Sequence, residues 1–468
     1  MSIQPRMLYN LFLILIFTAL SGCAARGKAN PAGQSGEHRG TMASTEGDRN
    51  KTTSVPESSV ALRRSEIEGS TLDDYLQFAA LHNPDLEAAF NRWKASQEKA
   101  LQVQSLPDPR LTYTYFITNV ETRVGPQRHK IDLAQMFPWY GTRTLRGDLA
   151  RKESDELWEK FESMKTSLFY KVRLTYFEYY YLSRSIDITK KNLELMTALE
   201  QSARIRYSSG KASYTDVIKA QVEIAKLEER LVGLNDLKNP LIADFNTLLN
   251  RAVGEQLPPP DSIPGYILSM PEDSLYVLMK EENPELREFG IRIDRETDRI
   301  DLAKKQFYPD LTVGLSYIET GEARMPGVSD SGKDPLMTMF TVNLPIWRDK
   351  YRATVREAEI GRKSAISSMT ARENNLQAEL NRSLYNYRDA ERKIDLYTGV
   401  LIPKAQEALD VTTLAYVTGA VDFLNLLHAQ STLLDLELMY ERMLSNRARS
   451  FAQLEMLVGK ELTDENKQ

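Results

Sequence analysis

The sequence predicts a mainly α-helical protein with a membrane β-barrel, to which each chain contributes four strands. Three observations predict it. Two polar stretches, about Thr142 to Tyr207 and Tyr351 to Tyr416, read as very long helices. Four isolated segments alternate apolar and polar with the strand period of two. The chain also passes through the same series of elements twice, about 200 residues apart.

Composition bounds the class. Of 468 residues, 27% are charged and 42% hydrophobic, and the mean hydropathy is −0.42. That suits a water-lined protein and excludes a bundle of membrane helices. A net charge of −5 and a pI near 5.7, with basic residues interspersed among acidic ones, argue against a nucleic-acid partner. Twenty-two tyrosines against four histidines and one cysteine point to interfaces rather than metal chemistry.

The N-terminus reads as a processing segment. "MSIQPRMLYN" supplies one cation, Arg6, and "LFLILIFTAL" is an apolar run too short to span a bilayer as a mature helix. "LSGC" then places small residues before Cys23, the pattern of a bacterial lipoprotein signal. Residues 1–22 are thus expected to be a signal peptide, and Cys23 to carry a diacylglycerol and an N-acyl chain such as palmitate. The alternative is an ordinary signal peptide that happens to contain a cysteine. Ala24, rather than an aspartate, follows Cys23, which permits sorting to the outer membrane. An acylated Cys23 leaves no disulfide. Residues 23–69 are rich in Gly, Ser, Thr, Asn and charge and read as a flexible tether.

Two halves follow, residues 70–253 and 272–460, joined by the Pro-rich linker 254–271 and ending in a polar tail, 461–468. Each opens on a capped helix, Ser70 or Thr71 being the first candidate cap. "HNPDLEAAFNRWKASQEKALQ" at Asn83 is echoed by "ENPELREFGIRIDRETDRIDLAK" at Asn283. "SLPDPRLTYTYF" is echoed by "QFYPDLTVGLSY", and "QMFPWYGTRTLRGDLARKE" by "NLPIWRDKYRATVREAE". "RYSSGKASYTDVIKAQVEIAKLEERL" is echoed by "AYVTGAVDFLNLLHAQSTLLDLELMY", pairing Tyr207 with Tyr416, Gly210 with Gly419 and Gln221 with Gln430. The long helices would each span on the order of 100 Å. Apolar positions such as Leu168, Val172, Phe177, Tyr180 and Tyr181 are not confined to one seam, which suits a helix packed on two sides in a barrel wall. A plain antiparallel coiled coil is the competing architecture.

The strands are expected at about residues 110–119, 129–137, 310–320 and 335–345, each the length of a tilted bilayer-crossing strand. Leu111, Tyr113, Tyr115 and Ile117 fall on one side of the first strand, with Thr112, Thr114 and Thr118 on the other and Phe116 as an exception. Ile131, Leu133 and Phe137 oppose Lys130 and Asp132 on the second. Leu311, Val313, Leu315 and Tyr317 oppose Thr312, Gly314 and Ser316 on the third. Charge on one face implies a wet lumen, and Tyr113, Tyr115, Phe137, Trp139, Tyr140, Tyr317 and Trp347 suit interfacial aromatic belts. Four strands cannot close a barrel alone, because open edges in lipid leave backbone groups unpaired. Two copies would supply eight strands and a filled interior; three would supply twelve and a channel. A small sheet in a soluble domain is the alternative.

Taken in this order, the duplicated plan, paired strands and two glycine-centred turns resemble the outer-membrane factor family, the TolC-like exit ducts of efflux pumps, over about Ser70 to Lys460. The acylated cysteine resembles its lipoprotein branch, which serves RND-type drug and heavy-metal pumps, and "ETRVGPQRHKIDLAQMFPWYGTR" looks most like the heavy-metal (CusC/CzcC-like) members. The resemblance implies a homotrimer with a twelve-stranded barrel continuous with a periplasmic helical tunnel. It implies docking to a periplasmic adaptor and an inner-membrane pump, and a gate at the periplasmic tip. Gly210 and Gly419 would reverse the chain at the adaptor-facing turns in the left-handed conformation. Tyr416 and Asp216 match gate positions, and Tyr207 stands beside the first turn. The family's arginine two residues after the second tip glycine is replaced by Val421. Its acidic pore positions, six and nine residues after that glycine, are Asn425 and His428 here. Helix-end packing for Tyr207 and Tyr416, and helix packing for His428, stay open.

The motifs of an enzyme do not appear: there is no P-loop, Rossmann glycine pattern, HExxH or CxxC, and His38, His82, His129 and His428 lack ligand spacing. Paired acids such as Asp73–Asp74 and Glu281–Glu282 sit near helix starts, where they favour the dipole. The expectation is a non-enzymatic passive channel in the bacterial outer membrane, with no cofactor beyond the lipid. The alternatives are a lipid-anchored coiled-coil scaffold or adhesin without a pore, and a type I protein-secretion duct.

Overall fold

A computed structural model describes residues 71–462. The expected signal peptide, Cys23, the whole tether and most of the tail lie outside these residues. In chain order the elements are α1 (Leu72–His82), α2 (Pro84–Gln104), β1 (Arg110–Thr122), β2 (Gly125–Phe137), α3 (Thr142–Ser208), α4 (Tyr214–Asp236) and α5 (Lys238–Leu248). After the linker come α6 (Glu272–Glu282), α7 (Pro284–Lys305), β3 (Leu311–Thr320), β4 (Leu336–Val342) and α8 (Arg348–Leu396). A π-helical turn (Tyr397–Leu401), α9 (Ile402–Thr418) and α10 (Phe423–Val458) complete the chain.

The duplication extends to single atoms. Thr71 starts α1 through a capping box with Asp74. Asn83 and Asn283 then cap α2 and α7 in the same way. Each side-chain oxygen accepts from the two backbone N–H groups that follow the proline. Each amide nitrogen reaches the end of another helix, Asn83 to the Leu248 carbonyl (3.1 Å) and Asn283 to the Leu457 carbonyl (2.8 Å).

The 67 residues of α3 form one unbroken helix, about 100 Å long at 1.5 Å per residue. It packs against α2, α4, α7 and α10, so apolar residues occur all round it. Its counterpart is not regular throughout. Pro403 supplies no N–H and its ring would crowd the carbonyl one turn earlier; the π turn immediately before it absorbs the mismatch. The helix continues beyond as α9.

Three apolar cores hold these pillars. One joins Tyr75 and Leu76 of α1 to Phe177 and Tyr179 of α3 and Phe245 of α5. Its repeat joins Leu275 and Met279 of α6 to Leu376, Leu380 and Phe451. The third, near the hairpin turns, gathers Met196, Val217, Leu409, Tyr416, Phe423 and Leu426. Full burial of such a side chain is worth roughly 1.5–3 kcal/mol. The linker is a packed strap rather than a free loop. Tyr179 Oη donates to the Leu257 carbonyl (2.8 Å), Tyr387 Oη to that of Tyr266 (3.1 Å), and Tyr266 stacks on Phe451 at 4.7 Å.

Where α3 meets α10 the seam is polar. Gln430 Nε2 donates to Asn192 Oδ1 (2.6 Å), both buried. Glu441, also buried, accepts from Tyr180 Oη (3.0 Å) and Arg184 Nε (3.1 Å). Burial, reinforced by Glu441, pushes the Tyr180 phenol up to about 12. Glu455 pairs with Arg173 and accepts the Leu462 N–H (2.9 Å).

The strands form one antiparallel sheet in the order β1-β2-β3-β4. Register puts Tyr113, Ile131, Tyr317 and Leu336 in one row and Leu111, Leu133, Leu315 and Thr338 in the next, on one face. That face is apolar apart from His129, Gln135, Glu319 and Thr338. Rows on the opposite face contain Thr112, Asp132, Ser316 and Met337, and Thr114, Lys130 and Ile318. Lys130 pairs with Asp132 there at 3.0 Å. Among the described residues, β1 and β4 each have a free edge. The first hairpin is longer than the sequence suggested, since Thr122 pairs with Gly125 across a tight turn. Gly125, at φ +132°, lies so close to the Gly321 carbonyl that a Cβ would collide with it. Conversely β4 is shorter, because Pro335 and Pro345 bound it and Asn343 turns its side-chain oxygen to the Asp310 N–H. Trp139, at the entry to α3, stacks on Tyr308 from the second half at 4.9 Å, and the Trp139 backbone N–H donates to Asp310 Oδ1 (2.9 Å). Among the described residues, no helix is long and apolar enough to cross a membrane.

Candidate functional site

The two turns at the far end of the helical pillars are built alike. In the first, the Lys211 N–H donates to the Arg206 carbonyl (2.8 Å) and the Gly210 N–H to that of Tyr207 (2.9 Å). In the second, Ala420 donates to Ala415 (2.9 Å) and Gly419 to Tyr416 (3.0 Å). Both are Schellman closures with glycine in the left-handed region, φ +69° at Gly210 and +84° at Gly419. Ser213 and Asp422 then cap the returning helices α4 and α10.

The predicted gate residues occupy different environments. Tyr207 is half-exposed and lies 5.1 Å from the ring of Tyr214, also exposed. Asp216 sits in the first turn of α4, where its charge favours the helix dipole. Tyr416 is 3% exposed: its ring packs on Phe423 at 5.2 Å and under the Arg206 guanidinium at 4.8 Å. Burial, followed by the nearby charge of Asp216, raises the Tyr416 pKa, while Arg206 opposes the rise. Helix-end packing therefore describes Tyr416 well and Tyr207 poorly.

Asn425 and His428 are exposed and line a groove of about 400 Å³ between α9 and α10, floored by small residues such as Ala405, Ala408 and Ala429. Their side chains stand on one face of α10, three residues apart. Among the described residues, no cluster of three or more His, Cys, Asp or Glu side chains is placed to hold a metal ion. Cys23 lies outside the described residues.

Sequence reasoning passed over Arg206. It lies four residues before Gly210, where the second turn has Ala415, and donates to the Val417 carbonyl across the two turns. The signal was present as a broken repeat: a cation in one copy and none in the other. Gln221 and Gln430, paired in the sequence, both reach α3, Gln221 through Glu200 (3.0 Å) and Gln430 through Asn192.

The comparisons agree on one architecture. The family model described as outer membrane efflux protein matches residues 75–239 and 275–460, one segment in each half. The cobalt-zinc-cadmium resistance protein CzcC of Cupriavidus metallidurans is 21% identical over 397 residues, covering 83% of this chain and 90% of that protein. Among solved structures, CusC superposes with a TM-score of 0.71 at 13% identity, over 85% of this chain and 96% of that one. The outer membrane protein VceC of Vibrio cholerae gives 0.69 at 17% identity, over 84% and 97%.

Proposed function

The chain belongs to the outer membrane efflux protein family, and from that premise we propose that it is the outer-membrane exit duct of a tripartite efflux system. It passively conducts substrate received from an inner-membrane pump and a periplasmic adaptor. Three copies pool their sheets into a twelve-stranded barrel, apolar face to lipid and the Thr, Ser, Lys130 and Asp132 face to water. The helical pillars continue the wall into the periplasm, and the tip turns dock the adaptor and hold the pore shut. Cys23 carries the lipid anchor. The chain performs no chemistry on its cargo.

The observation that carries this reading is the four-stranded sheet with two free edges, standing on a duplicated pair of pillars each near 100 Å long. A scaffold or adhesin has no use for a sheet that is apolar on one face and charged on the other. The test is conductance: trimers inserted in planar bilayers should pass ions poorly until the tip is loosened. Tyr416→Ala and Asp216→Ala should both raise conductance. Protein that never conducts in either form, though folded, would remove the channel reading. For cargo, CzcC is by name a cobalt-zinc-cadmium resistance protein, which makes divalent metal ions the first class to test. A deletion strain should lose tolerance to them, with dyes and antibiotics as the comparison set.

A further inference from the structure

The geometry points to Arg206 as the clasp that fastens the two tip turns of one protomer to each other, supplying to the second turn the cation that it lacks. This deepens the tip-gate reading and rests on it.

Helices α3 and α9 both end at this tip, and the Arg206 side chain spans the gap between their final carbonyls, which carry the same partial negative charge. A cation between them is favoured, and only the first turn brings one. From Ala415 to Phe423 the second turn has no Lys or Arg, and its one ionised side chain is Asp422. Arg206, on the last turn of α3, serves both ends. Its Nη1 donates to the Val417 carbonyl of α9, and Nη2 reaches the Lys211 carbonyl at 3.3 Å. The guanidinium plane covers the buried ring of Tyr416, 4.8 Å from its centroid. A Cβ at Gly419 would only come into ordinary contact with Nη2, at 3.6 Å, so the glycine serves the left-handed turn and the guanidinium lies against it. A lysine could not make both carbonyl contacts and cover the ring at once, because its charge is a single point.

One side chain thus bridges residues 211 positions apart in sequence. Any opening that slides the α9–α10 turn past the α3–α4 turn must break the Val417 bond and uncover Tyr416. Arg206 holds the resting position; it is not part of the conduction path.

The experiment compares three variants of the full-length protein in planar bilayers, after each is shown to migrate as the parent oligomer. Arg206→Ala should raise the ratio of open to closed channel on the order of tenfold, the loss of one charge-assisted contact set. Arg206→Lys should fall between Ala and the parent. In a third variant, Arg206→Cys with Val417→Cys, a short thiol-specific cross-linker should hold the channel shut. If cross-linking leaves conductance unchanged, the turns are not the gate and the underlying reading fails. If cross-linking shuts the channel but Arg206→Ala and Arg206→Lys both conduct as the parent does, the gate stands and the clasp is overturned. Should Arg206→Ala fail to assemble, Arg206→Lys alone decides: conductance equal to the parent overturns the clasp.

Discussion

Gly210 and Gly419 were legible as turn residues because a long helix must stop somewhere and glycine alone takes the left-handed region without strain. Neither meets a neighbour closer than ordinary contact, so substitution there costs backbone strain and little else. Gly210→Ala and Gly419→Ala should each lower stability by about 1–2 kcal/mol, read as a lower thermal midpoint. The surroundings of Tyr416 were not legible, because they depend on Arg206, which is remote in sequence. Buried acids were equally hidden. Burial raises the Glu455 pKa above its ordinary 4.5, outweighing Arg173 beside it. A carboxyl raised in the folded state contributes stability that is complete below the unfolded value and is lost as pH rises through the folded one, about 1.4 kcal/mol per unit. Glu455→Gln cannot titrate. The parent should therefore lose stability relative to Glu455→Gln as pH rises from about 4.5 through the raised pKa, then keep a constant gap. Parallel melting curves at every pH would contradict this.

Elements were read most reliably where one physical rule dominated. The period of two marked the strands because each sheet face meets a different environment, and the Asn-Pro steps marked helix starts because Asn caps and Pro fits the first turn. The hairpin turn at Gly125 and the π turn before Pro403 escaped. The first depends on a close approach by Gly321 from the other half, and the second on how a continuing helix accommodates a missing N–H. The α3–α10 seam also lay beyond the sequence, since both partners of its amide pair look like surface residues. That seam makes a quantitative prediction. Asn192→Leu leaves the buried Gln430 Nε2, and Gln430→Leu the buried Asn192 Oδ1, without this partner, and each should cost about 1–3 kcal/mol. With both replaced no unpaired amide remains, so the double variant should be less destabilised than the sum of the two, by chemical denaturation of the purified protein. Strict additivity would mean that the two side chains do not depend on each other.

At the scale of the whole molecule, the decisive feature is what one chain leaves unfinished. Among the described residues, edges β1 and β4 have no partner strand and stand beside an apolar face; lipid penalises the unpaired backbone groups and water the apolar face. Four strands cannot close the sheet on itself, so in the proposed duct β4 of one copy meets β1 of another. In that proposal the number of copies follows from what the interior face holds. Eight strands would leave room only for their own side chains, whereas twelve leave a water-filled bore for Lys130 and Asp132. Leu111 and Tyr113 of β1 share a face with Thr338 and Phe340 of β4, so cysteines at one position of each strand would be neighbours across the joint. Scanning the four pairings under mild oxidation should give at least one pair that cross-links into a ladder ending at three protomers. A ladder ending at two would replace the duct by a filled eight-stranded barrel, and with it remove the bore on which conduction depends.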